Sequence, residues 1–229
     1  MFNTLFITGT DTGAGKTIVT SSLVAYWQKY HSNRTLGLMK PIQSGVGDCE
    51  WYQKLFNLQQ TVEETTPQYF QAPLAPPIAA ARENREVDLG VVWQSLNRMR
   101  SHSDFTLVEA LGGLGSPITN EFTVADIAGE WKLPTVLVVP VKLGSISHAV
   151  ANVALAKQTK INLLGIILNS IQPDGESGIA DFTPIELVQK FTNVPVLGHI
   201  PYLENLEDVE KLAQVASNLD LEVLLPKNF

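Results

Sequence analysis

The chain has 229 residues, with 16 Lys and Arg against 23 Asp and Glu, for a formal net charge of −7. That balance argues against a non-specific nucleic-acid binder, whose affinity rests on neutralising phosphates with a basic surface. A single cysteine, Cys49, excludes an intrachain disulfide framework and a zinc site built on several thiolates. No apolar run approaches the roughly 20 residues of a membrane span; Leu133 to Val141, one of the longest, is interrupted by Pro134 and Pro140. The amino terminus has no charged region leading into a long apolar stretch. The expectation is a cytoplasmic protein with neither a membrane nor a nucleic-acid partner.

Apolar runs alternate with helical patterns along the chain. Phe2 to Thr8 reads as a buried strand, and Lys16 to Tyr30 has helical spacing, with Val19, Leu23, Tyr26 and Trp27 on one side. Thr35 to Lys40 is a second strand. Asp48 suits the N-cap of a helix through Phe56. Leu89 to Met99 is a helix, and Phe105 to Glu109 a strand ending in a carboxylate. A strand from Pro134 to Val141, a helix from Ser147 to Gln158 and a strand from Ile161 to Asn169 follow. A short helix from Pro184 to Phe191, a strand from Val194 to Ile200 and an acidic helix from Leu206 to Asn218 complete the series. Strands that are apolar throughout are covered on both faces. Their alternation with helices predicts a doubly wound, parallel α/β fold in a single domain over 1–229. The proline-rich stretch from Thr66 to Ile78 reads as a rigid loop over the sheet edge and a candidate pocket wall.

Gly9-Thr10-Asp11-Thr12-Gly13-Ala14-Gly15-Lys16-Thr17 lies between the first strand and the first helix, the context of a phosphate-binding loop. Glycines let backbone N–H groups crowd around an anion, and the helix N-terminus favours negative charge there. Lys16 can reach the β- and γ-phosphates, and the Thr17 hydroxyl can ligate Mg²⁺. The usual G-x-x-x-x-G-K-[ST] pattern would have glycine where Thr10 stands. Asp48 and Glu109 complete a hard-oxygen donor set for the same cation. Asn169, at a strand end, is a candidate reader of the nucleobase edge or a turn former. Lys40, followed by Pro41, sits at the carboxyl end of its strand, where doubly wound folds bind ligands. A second lysine on the phosphates would stabilise charge developing during phosphoryl transfer. Histidines 31, 102, 148 and 199 show no metal-ligand spacing.

These segments resemble the dethiobiotin synthetase family, ATP-dependent ligases of biotin biosynthesis. The resemblance rests on GTDTGAGKT at 9–17, KPIQSG at 40–45, VEALGG at 108–113, PVKLGSISHA at 140–149, LNS at 168–170 and IPYLEN at 200–205. It implies a homodimer with a P-loop NTPase-like, mostly parallel seven-stranded sheet with helices on both faces. It implies ATP, CO₂ or bicarbonate and 7,8-diaminopelargonate as substrates, with Mg²⁺. Under the resemblance, Gly13, Ala14, Gly15, Lys16, Thr17 and Ile18 wrap the triphosphate, and Thr17, Asp48 and Glu109 hold Mg²⁺. Lys40, with Lys16, is catalytic, while Thr12 and Ser44 contact the diamine or its carbamate. Ala110, Leu111 and Gly112 line the nucleotide site beside Glu109. Asn169, Ser170, Pro201, Tyr202 and Leu203 flank the base. Gly144, Ser145 and Ser147 meet the substrate's tail carboxylate, across the dimer interface.

The family usually shows V-E-G-A-G-G, whereas Ala110 and Leu111 here add bulk to that loop. The rival reading is a P-loop ATPase switch of the partition or septum-positioning type. Such switches carry an extra lysine early in the loop, where this chain has Thr10 and Asp11.

Overall fold

The computed structural model describes residues 3–173 and 177–226. Phe2, the expected start of the first strand, lies outside the described residues. In chain order the elements are β1 (Thr4–Gly9), α1 (Lys16–Tyr30), β2 (Leu36–Met39), β3 (Ile42–Ser44), α2 (Asp48–Leu55), α3 (Val62–Thr65) and β4 (Gln68–Phe70). They continue with α4 (Pro76–Arg82), α5 (Leu89–His102), β5 (Phe105–Glu109), α6 (Val124–Glu130), β6 (Thr135–Pro140), α7 (Ser145–Gln158) and β7 (Leu163–Asn169). The last are α8 (Ser177–Phe182), α9 (Ile185–Thr192), β8 (Val196–Ile200), α10 (Val209–Ala216) and α11 (Leu221–Leu224).

Among the described residues, six strands form the main sheet in the order β2-β5-β1-β6-β7-β8, with every pairing parallel. Successive residues of each strand feed opposite faces. Phe6, Met39, Val108, Leu137 and Val139 join one apolar cluster with residues of α5, α6, α7 and α9. Leu5, Ile7, Leu38, Leu107 and Val138 join a second with α1, α2 and α10. This is the doubly wound architecture expected from two-sided burial.

The expected count of seven strands is corrected to six. Pro41 offers no N–H to a ladder, and the Lys40 N–H donates to Thr65 O at 2.8 Å. The chain therefore leaves the main sheet, and β3 pairs with β4 in a separate parallel ribbon. The proline-rich stretch is accordingly not all loop. It holds β4 and the start of α4, whose Pro76 stands at a first-turn position where a missing N–H costs nothing.

Other details also differ. Asp48 lies inside α2, with Gly47 at the N-cap position; its carboxylate is engaged elsewhere. Helix α7 begins at Ser145, two residues earlier than expected, behind Gly144 with φ 91°. Helix α6 went unread in the sequence, although Thr123 and Asp126 form a capping box there, the Thr123 N–H donating to Asp126 at 2.8 Å.

Because the strands are parallel and in register, their carboxyl ends gather on one side. Ile7 pairs with Glu109, Met39 with Val108, Gly9 with Val138 and Pro140 with Asn169. Gly9, Lys40, Glu109 and Asn169 thereby reach the same edge from four strands, the position where this architecture binds ligands.

Candidate active site

The loop between β1 and α1 closes through a 3-10 turn at Thr12–Ala14 and a left-handed Gly15, with φ 88°. A side chain at Gly15 would be strained by that backbone, and its Cβ would come 2.0 Å from the Asn169 amide nitrogen. The Asn169 amide donates to Ala14 O at 3.2 Å, tying β7 to the loop. Lys16 is 4% exposed and folds back, its Nζ donating to Asp11 O at 3.0 Å. Burial, with a contribution from Lys40, lowers its pKa from 10.5 to about 8, against the attraction of Glu109.

Beside this loop four side chains converge. Lys40 is buried, and its ammonium pairs with Asp48, with Glu109 Oε1 at 2.9 Å and with Ala110 O at 3.1 Å. The Thr17 hydroxyl is 2.8 Å from Asp48 Oδ1 and 3.2 Å from Glu109 Oε1. Glu109 is fully buried, and its second oxygen, Oε2, accepts a hydrogen bond from the Tyr52 hydroxyl. Burial alone would lower the Lys40 pKa, but Glu109 and Asp48 outweigh it and hold the ammonium above its ordinary value. Burial likewise opposes ionisation of Asp48, and Lys40 outweighs it, holding that carboxyl below its ordinary value. Burial, with Glu109 and Asp48, pushes the Tyr52 phenol well above 10, so it is a donor at neutral pH.

Thr17, Asp48 and Glu109 therefore present one hydroxyl and two carboxylates to a common point. These hard oxygen donors suit Mg²⁺ that keeps phosphate and water oxygens as its other ligands. Among the described residues no group of three or more His, Cys, Asp or Glu side chains could hold a metal, so a cation here needs such additional oxygens.

The other expected site residues are spread around this cluster. Thr12 lines a groove of about 490 Å³ with Thr10, Asp11, Gly113, Ser116 and Asn152. Ser44 ends β3, and its buried hydroxyl has no partner among the described residues. Helix α7 lines the groove with Ala151, Asn152 and Leu155; Gly144, Ser145 and Ser147 stand at the far N-terminal end of that helix. At the base end, Asn169, Ser170 and Leu203 are buried, Pro201 is half-buried and Tyr202 is exposed. Ser170 Oγ lies 2.9 Å from His199 Nε2.

A family model described as an AAA domain matches residues 3–211. The ATP-dependent dethiobiotin synthetase of Gloeothece citriformis is 57% identical over 222 residues, which cover 97% of this chain and 98% of that protein. The chain belongs to the dethiobiotin synthetase family. The enzymes of that name from Crocosphaera subtropica and Synechocystis are 57% and 48% identical, each over 96% of this chain and over 99% and 94% of their own lengths. Among solved structures, a ParA family ATPase from Chlorobium tepidum superposes with a TM-score of 0.57 at 13% identity, covering 97% of this chain and 96% of its own. The cell-division protein MinD from Aquifex aeolicus gives 0.58 at 15%, covering 97% and 95%. At such identities the likeness establishes the P-loop NTPase-like fold alone.

Within this member of the family, the unusual Ala110-Leu111 pair is accommodated without crowding the loop. The Ala110 N–H donates to Ile7 O at 2.9 Å, its carbonyl faces Lys40, and its methyl is buried. Leu111 packs into an apolar pocket with Ile118, Val124 and Trp131. Where the loop must approach the P-loop, glycine is kept: a Cβ at Gly113 would meet Thr10 O at 2.6 Å. Two partners escaped the sequence reading. Lys142 lies 3.4 Å from the Asp11 carboxylate. Tyr52 follows Asp48 by four residues on α2, so one helix face carries both; that spacing was the available signal.

Proposed function

We propose that the 229 residues act as one ATP- and Mg²⁺-dependent ligase domain that inserts CO₂ between the two amines of 7,8-diaminopelargonate, forming the ureido ring of dethiobiotin. The observation that carries the reading is Lys40 held between Asp48 and Glu109 beside the P-loop lysine. Family membership supplies the reaction class.

In this reading one substrate amine takes up CO₂ and loses a proton, giving a carbamate. A carbamate oxygen attacks the γ-phosphorus, and ADP leaves. The second amine then attacks the carbonyl carbon of the mixed anhydride and expels phosphate with loss of a proton. None of these steps needs a covalent enzyme nucleophile, so positioning and charge stabilisation carry the catalysis. Backbone N–H groups from Gly13 to Ile18 wrap the triphosphate, and Lys16 swings from Asp11 O onto the β- and γ-phosphates. When bound through Thr17, Asp48 and Glu109, Mg²⁺ supplies charge neutralisation at those phosphates. Lys40 keeps its proton and stabilises negative charge between carbamate and γ-phosphate. Thr12 and Ser44 orient the diamine; the partnerless Ser44 hydroxyl is available for such a contact. Asn169, Ser170, Pro201, Tyr202 and Leu203 enclose the base.

In this reading Gly144, Ser145 and Ser147, at the N-terminal end of α7, meet the substrate tail across the interface of a homodimer. No described helix is long and apolar enough to cross a membrane. In this reading the enzyme works in the cytoplasm.

Incubation with 7,8-diaminopelargonate, bicarbonate and Mg-ATP tests the reading, with ureido product measured against phosphate release. The expected result is one phosphate per dethiobiotin and no phosphate without the diamine. Hydrolysis indifferent to the diamine would instead identify a nucleotide switch.

A further inference from the structure

Glu109 has no contact with solvent, so the protein must supply partners for both of its oxygens. Oε1 has them in Lys40 at 2.9 Å and Thr17 at 3.2 Å. Oε2 points the other way, toward α2, and accepts from the Tyr52 hydroxyl. Tyr52 is itself fully buried, packed in the apolar cluster with Leu5, Ile7, Leu38 and Val138. Its ring therefore cannot follow the carboxylate if the carboxylate rotates. The same helix carries Asp48 one turn earlier. One rigid element thus delivers an acid to Lys40 and Thr17 and clamps the acid that arrives from β5.

We propose that Tyr52 is a positioning residue, whose hydroxyl clamps Glu109 so that Oε1 alone faces the metal and phosphate site. This rests on the assignment of Thr17, Asp48 and Glu109 as the metal-holding set. Without the clamp, Glu109 is free to turn either oxygen, or both, onto the Lys40 ammonium, and the donor point shared with Thr17 and Asp48 is lost. Partners behind a ligating carboxylate orient it, and their removal typically costs about 10- to 100-fold in metal affinity.

The test compares Tyr52→Phe with the parent protein, using Mn²⁺ as a paramagnetic probe in the presence of ADP, followed by electron paramagnetic resonance. ADP affinity in EDTA is measured alongside. The expected result is Mn²⁺ affinity weakened about tenfold with metal-free ADP affinity within about twofold, since the Tyr52 hydroxyl is bonded to the metal-site acid Glu109. Tyr52→Leu, which also lacks the hydroxyl, carries the same expectation should the Phe variant fail to fold. Unchanged Mn²⁺ affinity overturns the proposal. So does a parallel fall in metal-free ADP affinity, which would mark a general packing defect. Both readouts stand apart from turnover: a parent protein that makes no ureido product would sink the ligase reading and leave the Tyr52 clamp to be decided by metal binding.

Discussion

The two ends of the nucleotide site are built differently. At the phosphate end, two lysines and two acids are gathered around a threonine and a tyrosine, and most of these side chains are shut away from water. At the base end, Asn169, Ser170 and His199 are neutral hydrogen-bonding groups beside an exposed Tyr202. Charge is concentrated where the reaction develops charge, in a low-dielectric setting that strengthens it. Under the proposed function the base end has a lighter duty, to hold the nucleobase. Under the proposed function the contrast also accounts for triphosphate binding by a chain of net charge −7: the local set of Lys16 and Lys40 would decide, not the total.

The largest effect that would break this contrast is expected at Glu109. Glu109→Gln leaves the buried Lys40 with one carboxylate instead of two. Removing one member of a buried ionic group costs about 3 kcal/mol or more, so chemical denaturation should show a clearly lowered stability together with loss of turnover. A variant as stable as the parent would mean that the cluster is more hydrated than its burial indicates.

Gly15→Ala probes the joint between the two ends. The left-handed backbone costs a non-glycine residue about 1–2 kcal/mol, and the new Cβ would displace the Asn169 amide. ATP affinity, measured by calorimetry, should fall at least about tenfold. Parent-like affinity would show that the loop does not need its tie to β7.

Asn169→Ala should have a smaller, more selective effect. One lost hydrogen bond is worth about 1 kcal/mol, so the preference for ATP over GTP should narrow about fivefold. An unchanged ratio removes Asn169 from base recognition. The smallest effect is expected at His199. Burial holds its imidazole below the ordinary 6.5, so the unfolded chain takes up that proton more readily. Its contribution is intact above the unfolded value and is lost as pH falls through the folded one. Between about pH 7.5 and about pH 5, the parent's melting temperature should fall more than that of His199→Asn; equal slopes contradict this.

Much of the phosphate end was legible in the sequence. Glycine-rich loops and strand-terminal charges are local signals, and parallel register alone suffices to bring Lys40 and Glu109 together. Asp48 reads as both a cap and a ligand, and its carboxylate turns to Lys40 and Thr17 rather than to its own helix terminus. For Tyr52 the four-residue spacing from Asp48 is the one signal, and it is weak, because a tyrosine on an apolar helix face looks like core until the partner of its hydroxyl is known. The β3–β4 ribbon is not legible because three-residue strands among prolines carry no periodicity; the six strands of the main sheet are all legible, and the count of seven comes from the family resemblance alone. Leu111 looked like an intrusion into the site, and only the pocket beneath it, lined by Val124 and Trp131, shows where its bulk goes.

The most direct test of the central claim is product formation by Lys40→Gln beside the parent, with ADP affinity and melting temperature measured on the same samples. The account predicts a loss of ureido synthesis of about a thousandfold, with ADP bound within about threefold of the parent's affinity and the fold intact. Near-normal synthesis by a folded Lys40→Gln protein would contradict it.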